Sequence, residues 1–298
     1  MENEYTTVTT IPATVSVGDG RQTSPDSGVR YYARFSAPQR YLHGFLAVTF
    51  LGLAMTGLTL RFGTAHWATA LANAVGGFRA VLFFHLFNAV VLTVAFLIHV
   101  ANLVYRIIFR KEYGLVWGPS SMVPNLKDIQ DFIQQFKWFF FRGEKPKFGR
   151  YAYWDKVDYW AVFWGMAIIG LSGYAMWFAP FFARLIPGSW LNIALLIHGE
   201  EAILAVGFIF TIHFFNTHLR PDNFPMDLVI FTGRQTEQEL QHRHPEEYKQ
   251  LVETGKLEQL RVDPPPRWLR NFGLIFGSSA IFIGVVFLVL MAVAFVKD

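Results

Sequence analysis

Five of the nine histidines lie inside long apolar stretches, where ionisable side chains are rare and usually carry a function. These are His43, His85, His99, His198 and His213. Two neutral imidazoles on one haem iron give a low-spin centre suited to electron transfer. The chain has no cysteine, which excludes thiolate ligation, cysteine-bound iron–sulfur clusters and covalent haem attachment through C-x-x-C-H. Any haem is therefore expected to be held non-covalently.

The spacing of these histidines agrees with haem ligation. His198 and His213 are 15 residues apart, so on one α-helix they differ by about 60° in direction and about 22 Å in height. His85 and His99 are 14 residues apart, which gives about 40° and about 21 Å. Such a pattern predicts two stacked haems, each bound between two helices. For any single histidine, a hydrogen bond between helices is the alternative.

The histidines belong to a chain with five apolar stretches, each long enough to cross about 30 Å of hydrocarbon. The hydrophobic content of 53% and the aromatic content of 17% also favour a membrane protein. We predict an all-α integral membrane protein, a four-helix di-haem transmembrane bundle plus a fifth C-terminal transmembrane helix. The five spans are predicted at residues 40–61, 80–108, 157–179, 191–216 and 269–296.

The predicted organisation has three parts. Residues 1–30 are rich in Thr, Ser, Gly and Pro and are expected to form a flexible tail. Residues 31–250 are expected to form the di-haem transmembrane domain, and residues 251–298 a linker and the last span. Between the second and third spans, apolar residues recur at helical spacing and predict an amphipathic helix on the inner membrane surface: Leu126, Ile129, Phe132, Ile133, Phe136 and Phe140.

The distribution of Lys and Arg predicts the orientation, because short loops rich in positive charge stay in the cytoplasm. The N-terminal tail and the two long loops carry 22 of these residues, and the opposite side carries 4. The N-terminus is therefore predicted to be cytoplasmic and the C-terminus periplasmic. Because this topology accounts for the net charge of +4, no nucleic-acid partner is expected, and the surrounding partner is membrane lipid.

Several charged residues near the histidines are further candidates. Glu200 and Glu201 follow His198 closely, and a carboxylate there could accept protons in a low-dielectric setting or lie at headgroup level. The guanidinium group of arginine can form two parallel hydrogen bonds to one carboxylate. Arg61, Arg79 and Arg220 are therefore candidates for contact with haem propionates. Each of these arginines could equally snorkel to the membrane surface.

The chain resembles the di-haem cytochrome b family, which includes the gamma subunit of respiratory formate dehydrogenase and the cytochrome b subunit of membrane-bound hydrogenases. The resemblance covers about residues 38–250 and leaves the fifth span outside the usual four-helix core. Its motifs here are Arg40-Tyr41-Leu42-His43, the stretch from His198 to His213, Arg150-Tyr151 through Lys156, and His242 to Tyr248. The chain is similar still more closely to members paired with multihaem cytochromes c, through Tyr153-Trp154-Asp155-Lys156 and Asn216-Thr217-His218-Leu219-Arg220-Pro221.

The resemblance implies two haems b in a prokaryotic inner membrane. It implies that His43 and His213 bind the cytoplasmic-side haem, and that His85 and His198 bind the periplasmic-side haem. His99 remains an alternative to His43 as the inner ligand, because both lie at the cytoplasmic depth.

The resemblance also implies a site for menaquinone or ubiquinone beside the inner haem, near Tyr151 and Asp155. Formate dehydrogenase gamma subunits carry an Asn and a Gln in this motif, and the matching positions here are Ala152 and Asp155. The amide contacts are therefore lost, although Asp155 could exchange protons with a quinone. The competing site is the outer one at Glu200 and Glu201.

Three functions compete at this stage. The leading one is a respiratory electron-transfer subunit of a larger quinone-linked oxidoreductase complex. Its periplasmic redox partner would be a multihaem cytochrome c, a hydrogenase or a molybdoenzyme module, and that partner would carry the substrate chemistry. The alternatives are a haem-free membrane anchor or assembly subunit, and a metal or haem transporter.

Overall fold

The computed structural model describes residues 28–297 and is dominated by helices. The fold class is confirmed, and all five predicted spans are present as long apolar helices. Hydropathy marks only the apolar part of each helix, so the third and fourth spans begin four and three residues before their predicted starts. The predicted N-terminal tail lies almost wholly outside the described residues. The five spans are Ala37–Arg61, Phe78–Ile108, Tyr153–Trp177, Gly188–Leu219 and Arg267–Lys297.

Local sequence explains where the spans begin. Ser36 caps the first span in a capping box with Gln39. Gly76 and Gly77 have φ values of 110° and 92°, which glycine adopts without strain, and they turn the chain into the second span. The carboxylate of Asp155 accepts a hydrogen bond from the backbone N–H of Ala152 at 2.9 Å, which closes the first turn of the third span.

The third and fourth spans contain π-helical turns, which are rare and often occur at functional sites. One covers Met166–Gly170 in the third span. Two others cover Ile209–His213 and Phe215–Leu219 near the C-terminal end of the fourth span. Each π-turn changes the direction in which the following side chains point, so the regular spacing assumed for an α-helix holds only in part.

The fifth span packs against the first and fourth spans. Phe287, Met291 and Ala294 are buried together with residues of those helices. At Gly284 the backbone approaches Phe210 so closely that a Cβ would lie 2.5 Å from the phenyl ring. The second span, in contrast, buries only Val81, because one side of it borders a central cavity and the other faces outward.

A small sheet outside the spans was not anticipated by the sequence. Strand β1 (Tyr31–Ala33) lies between β2 (Arg234–Thr236) and β3 (Arg261–Val262), and both pairings are antiparallel. Strands of two or three residues carry no detectable alternation of apolar and polar residues. Strand β1 directly precedes the first span, so the sheet ties the start of that span to the loop after the fourth span.

Residues on both sides of position 250 pack into one cluster under this sheet. Tyr32, Leu240 and Leu257 are its buried members. The predicted division between residues 250 and 251 falls inside the helix Pro245–Glu253.

The remaining helices are His66–Val75, Leu126–Phe139, Ala179–Phe182, Val229–Thr232 and Glu237–Arg243, with short 3₁₀ turns at Tyr113–Leu115 and Glu258–Leu260.

A buried ionic network joins the segment before the first span, the segment before the third span and the helix Pro245–Glu253. Arg34 pairs with Glu247 and donates to the carbonyl of Arg150, while Arg150 contacts the other oxygen of Glu247 at 2.7 Å. Burial lowers the pKa of Arg34, and Glu247 opposes that change. Removing one partner would leave a buried charge unpaired, which typically costs about 3–5 kcal/mol.

Candidate functional site

A cavity of about 2380 Å³ lies between the first four spans and reaches the segments before the third span and after the fourth span. Typical small-molecule pockets measure about 300–1,000 Å³, so this space is large enough for a bulky ligand or for more than one. Its walls are mostly apolar. All five histidines singled out in the sequence line it: His43, His85, His99, His198 and His213.

His85 and His198 face each other at the end of the bundle predicted to lie towards the periplasm, called here the outer end. Their ring centroids are 6.2 Å apart. The Thr56 hydroxyl donates to the carbonyl of Gly52 at 2.7 Å and has no second hydrogen, so its oxygen accepts from Nδ1 of His85 at 3.0 Å. Nδ1 of His198 donates to the carbonyl of Ile169 at 2.9 Å. Both rings therefore keep Nε2 free as a metal ligand.

Two glycines give the outer histidine rings their space. A Cβ at Gly57 would lie 3.2 Å from Cε1 of His85, and a Cβ at Gly173 would lie 2.9 Å from Cε1 of His198. Side chains at these positions would displace the rings. The structure thus places both glycines directly against the outer histidine rings.

His43 and His213 face each other at the opposite, inner end, with ring centroids 6.5 Å apart. Nδ1 of His213 donates to a carboxylate oxygen of Asp158 at 2.8 Å. A carboxylate on the distal nitrogen fixes the orientation of a ligating histidine and raises its basicity. This arrangement again leaves Nε2 of His213 as the free nitrogen.

The spacing of both histidine pairs fits one metal ion between two rings. Imidazole nitrogens bind transition metals at about 2 Å, so two rings on one iron have centroids about 6 Å apart. The observed separations of 6.2 Å and 6.5 Å agree with that value. The free Nε2 atoms, the glycine clearances and the apolar cavity are the features that a b-type haem requires of its site.

His99 has a different partner. Its Nε2 is hydrogen bonded to the hydroxyl of Tyr159 at 2.9 Å, and its ring packs against Tyr159 and Phe163. The structure therefore brings His43 next to His213, and it brings His99 next to a tyrosine on the third span.

Comparison with known proteins agrees with this architecture. The sequence model of the family described as prokaryotic cytochrome b561 matches residues 34–218. The chain belongs to this family. It is therefore a multi-pass prokaryotic membrane cytochrome b with an electron-transfer role, from a family that binds haem b. The matched region contains the first four spans, apart from Leu219, and all five histidines. It leaves out the three strands of the sheet and the fifth span.

The chain is also similar to a curated protein of Escherichia coli, the formate dehydrogenase cytochrome b556(fdo) subunit. In strain K12 the two chains are 23% identical over 173 residues, which cover 58% of this chain and 72% of the relative. The subunit of strain O157:H7 matches with the same identity and coverage. The resemblance predicted from sequence motifs is thus confirmed at the level of the family.

The candidate arginines of this cytochrome occupy different positions. Arg61 lines the cavity and pairs with Glu200 at 3.2 Å. Arg220 lines it at the inner end, stacks over Trp154 at 4.5 Å and pairs with Asp222 at 3.3 Å. Arg79 is exposed at the start of the second span, outside the cavity lining.

The residues predicted for quinone chemistry line the cavity at two ends. At the inner end, the guanidinium groups of Arg34 and Arg150 lie 5.7 Å and 5.6 Å from the centre of the Tyr151 ring. Asp155 lines the same end, with one oxygen engaged in capping its own helix. On the fourth span, Glu201 is 3.4 Å from the indole nitrogen of Trp164.

Sequence reasoning missed several polar partners of the histidines. Thr56 and the carbonyl of Ile169 carry no signal in the sequence, whereas Asp158 was recognisable as an ionisable residue within a span. His218 was also missed as a site residue. It is buried and lines the cavity five residues after His213, and its Nδ1 has no hydrogen-bond partner among the described residues.

Proposed function

We propose that this chain is a di-haem cytochrome b subunit that carries electrons across the inner membrane between a quinone pool and a periplasmic redox partner. The observation that carries the proposal is the presence of two histidine pairs at opposite ends of one cavity. His43 and His213 would hold the inner haem, and His85 and His198 the outer haem. The haems supply one-electron redox chemistry, which no side chain of this protein offers at either site.

The protein's own residues orient the ligating histidines and surround both sites with apolar side chains. Thr56, Asp158 and the carbonyl of Ile169 accept hydrogen bonds from Nδ1 of three of the four histidines and so select their tautomer. The apolar walls of the cavity lower the dielectric constant around both sites. Because an electron that crosses the membrane exchanges about 2.3 kcal/mol with every 100 mV of potential, transfer between the two sites would be electrogenic.

Haem content tests this function directly. The purified full-length protein should give a pyridine haemochrome ratio of about two haems b per chain, with the spectrum of six-coordinate low-spin haem. A ratio near one would remove the di-haem assignment. A protein that folds and contains no haem would overturn the proposal in favour of a membrane anchor, an assembly subunit or a transporter.

The partner is proposed by analogy with the E. coli relative, whose name makes it a subunit of formate dehydrogenase. This chain would likewise serve a multisubunit oxidoreductase, with a multihaem cytochrome c, a hydrogenase or a molybdoenzyme module on the periplasmic side. Gentle solubilisation of native membranes, affinity capture of this chain and identification of co-purifying redox subunits test this. Recovery of the chain without any redox subunit would count against it.

The orientation completes the proposal. The N-terminus lies in the cytoplasm and the C-terminus in the periplasm, which is supported by the 22 to 4 division of Lys and Arg between the two sides. Reporter fusions at the two termini should give opposite sidedness. Fusions that report the same side would contradict a five-span arrangement.

Quinone chemistry is assigned to the inner end, near Tyr151 and Asp155. Two features support this site: both residues line the cavity beside the inner histidine pair, and Asp155 offers a carboxylate at the cytoplasmic mouth. Menaquinone and ubiquinone both suit its apolar walls. At the outer alternative, the carboxylate of Glu200 is already engaged in an ion pair with Arg61 at 3.2 Å.

A further inference from the structure

The helix Leu126–Phe139 turns its apolar face away from the protein. Ile129, Ile133 and Phe136 are 58%, 48% and 52% exposed, whereas Asp131 and Gln135 on the opposite face are buried. A helix on a water-exposed surface has the reverse arrangement, with apolar residues inside. This orientation requires an apolar environment outside the protein.

Contacts with the third span fix the level of this helix in the membrane. The indole N–H of Trp160 donates to the carbonyl of Met122 at 3.0 Å, and Lys156 pairs with Asp128 at 2.8 Å. The rings of Phe132 and Tyr153 meet edge to face at 5.5 Å. Residues 153–160 form the first two turns of the third span, so the helix lies where that span enters the bilayer.

A groove of about 580 Å³ opens at the C-terminal end of the helix. Four apolar and two basic residues line it: Phe132, Ile133, Phe136, Phe140, Lys137 and Arg142. The backbone N–H of Arg142 donates to the carbonyl of Lys137 at 2.7 Å, so the chain turns back and both basic residues reach one groove. No carboxylate lines this groove, and neither basic residue forms an ion pair within residues 28–297.

We infer that the helix Leu126–Phe139 is a lipid-binding element and that its groove takes an anionic phospholipid. The phosphate would lie against Lys137 and Arg142, and one acyl chain against the phenyl rings. The depth of the helix favours lipid over a protein partner, since the exposed rings lie at the level of the acyl boundary. The two unpaired cations favour an anionic over a zwitterionic headgroup.

Headgroup selectivity tests the groove. The full-length protein is reconstituted in phosphatidylcholine vesicles, and the binding of spin-labelled phosphatidylglycerol is measured from the motionally restricted fraction of its spectrum. The double variant Lys137→Gln, Arg142→Gln should lower the affinity by about 30-fold, since each basic residue near the surface contributes about fivefold. The matched control is Lys249→Gln, Lys256→Gln, which removes two exposed cations from another cytoplasmic segment and should leave the affinity unchanged. An equal loss in both double variants, or no loss in the first, would overturn the site.

The depth of the helix is tested separately. Because the chain has no cysteine, one spin label can be placed at Ile133→Cys and another, as a control, at Lys249→Cys. In the same vesicles, the label at 133 should relax mainly with dissolved oxygen and the label at 249 mainly with a water-soluble nickel complex. Preferential access of the nickel complex to position 133 would refute insertion of the helix.

Discussion

Asp158 on the third span accepts a hydrogen bond at 2.8 Å from Nδ1 of His213 on the fourth span. The second carboxylate oxygen of Asp158 is buried and has no partner among the described residues. Burial of a charged oxygen is costly, so the contact with His213 is the feature that accounts for an acid at this depth. A carboxylate in this position increases the electron donation of the imidazole to a bound metal.

Removing the charge of Asp158 should therefore raise the reduction potential of the inner haem. In Asp158→Asn the side chain keeps its size and can still accept from His213, but the negative charge that stabilises the ferric state is lost. We expect an increase of about 60 mV, which corresponds to about a tenfold change in a one-electron equilibrium. Potentiometric titration of the purified protein, followed optically, measures it.

The control for this experiment is Thr56→Val, which removes the hydroxyl that accepts from His85 at the outer end. That variant should change the potential of the outer haem and leave the inner one unchanged. A shift of the outer haem in Asp158→Asn would show that the effect is general and does not pass through His213.

Single histidine substitutions should show which haem each histidine binds. His198→Ala should lose the outer haem and His213→Ala the inner one, because each leaves an iron with one protein ligand; the pyridine haemochrome ratio should fall from about two to about one. His43→Ala should also lose the inner haem. His99→Ala should keep both haems, since its Nε2 contacts Tyr159. Loss of the inner haem in His99→Ala alone would transfer the ligand role to His99.

Glycine substitutions test the space around the outer site without touching a ligand. Gly173→Ala places a methyl group 2.9 Å from the ring of His198, so the ring must move and outer haem occupancy should fall at least several-fold. Gly165→Ala, on the same span, meets no atom within 4 Å and should keep both haems. Equal haem loss in both variants would point to general destabilisation of the third span, and full occupancy in Gly173→Ala would contradict the clearance argument.

Much of this architecture could be predicted from the sequence. Five apolar helices follow from hydropathy alone, and the depth of each histidine follows from the rise of an α-helix. The family resemblance could be found because a few motifs, such as Arg40 to His43, occur in order along the first four spans. The amphipathic helix after the second span was equally predictable, because its apolar residues keep a regular spacing.

The remaining features depend on contacts between segments far apart in sequence. His43 and His99 lie at similar depths, so only their neighbours in the structure separate them: His43 lies opposite His213, and His99 contacts Tyr159. The π-turn at Ile209–His213 changes the direction of His213, which regular helical arithmetic cannot anticipate. The role of Asp158 and the small sheet through Tyr32 likewise became visible only when the third span and the cytoplasmic loops were placed in space.

The contact between the segments that carry His244 and Gly149 should lose stability as the pH falls. Burial, together with the neighbouring Arg34, holds the pKa of His244 well below its ordinary value of 6.5, and its Nδ1 donates to the carbonyl of Gly149 at 2.8 Å. Below about pH 6.5 the unfolded chain takes up a proton that the folded one does not, so stability decreases by up to about 1.4 kcal/mol per pH unit. Proteolysis of the loop around Gly149 should therefore accelerate between pH 7.5 and pH 5.5, chosen as about one unit on either side of that value. His244→Gln keeps a donor and does not titrate, so an equally steep acceleration in this variant would assign the effect to other groups.

Substitutions at the two ends of the cavity should decide where quinone reacts. Asp155→Asn removes a proton-exchanging carboxylate at the inner end, while the amide oxygen can still accept from the N–H of Ala152 and preserve the start of the third span. Since a positioned general acid or base contributes about 100-fold or more, haem reduction by a soluble quinol analogue should slow by about that factor, with haem content unchanged.

The matched variant at the outer end is Glu200→Gln, whose amide oxygen can still accept from Arg61, its partner at 3.2 Å. It should leave the rate within about twofold of the parent, because at the outer end no proton transfer is lost. Stopped-flow measurement of haem reduction in reconstituted membranes compares the two. If Glu200→Gln is the slow variant and Asp155→Asn is not, quinone reacts at the outer end and the inner assignment is wrong.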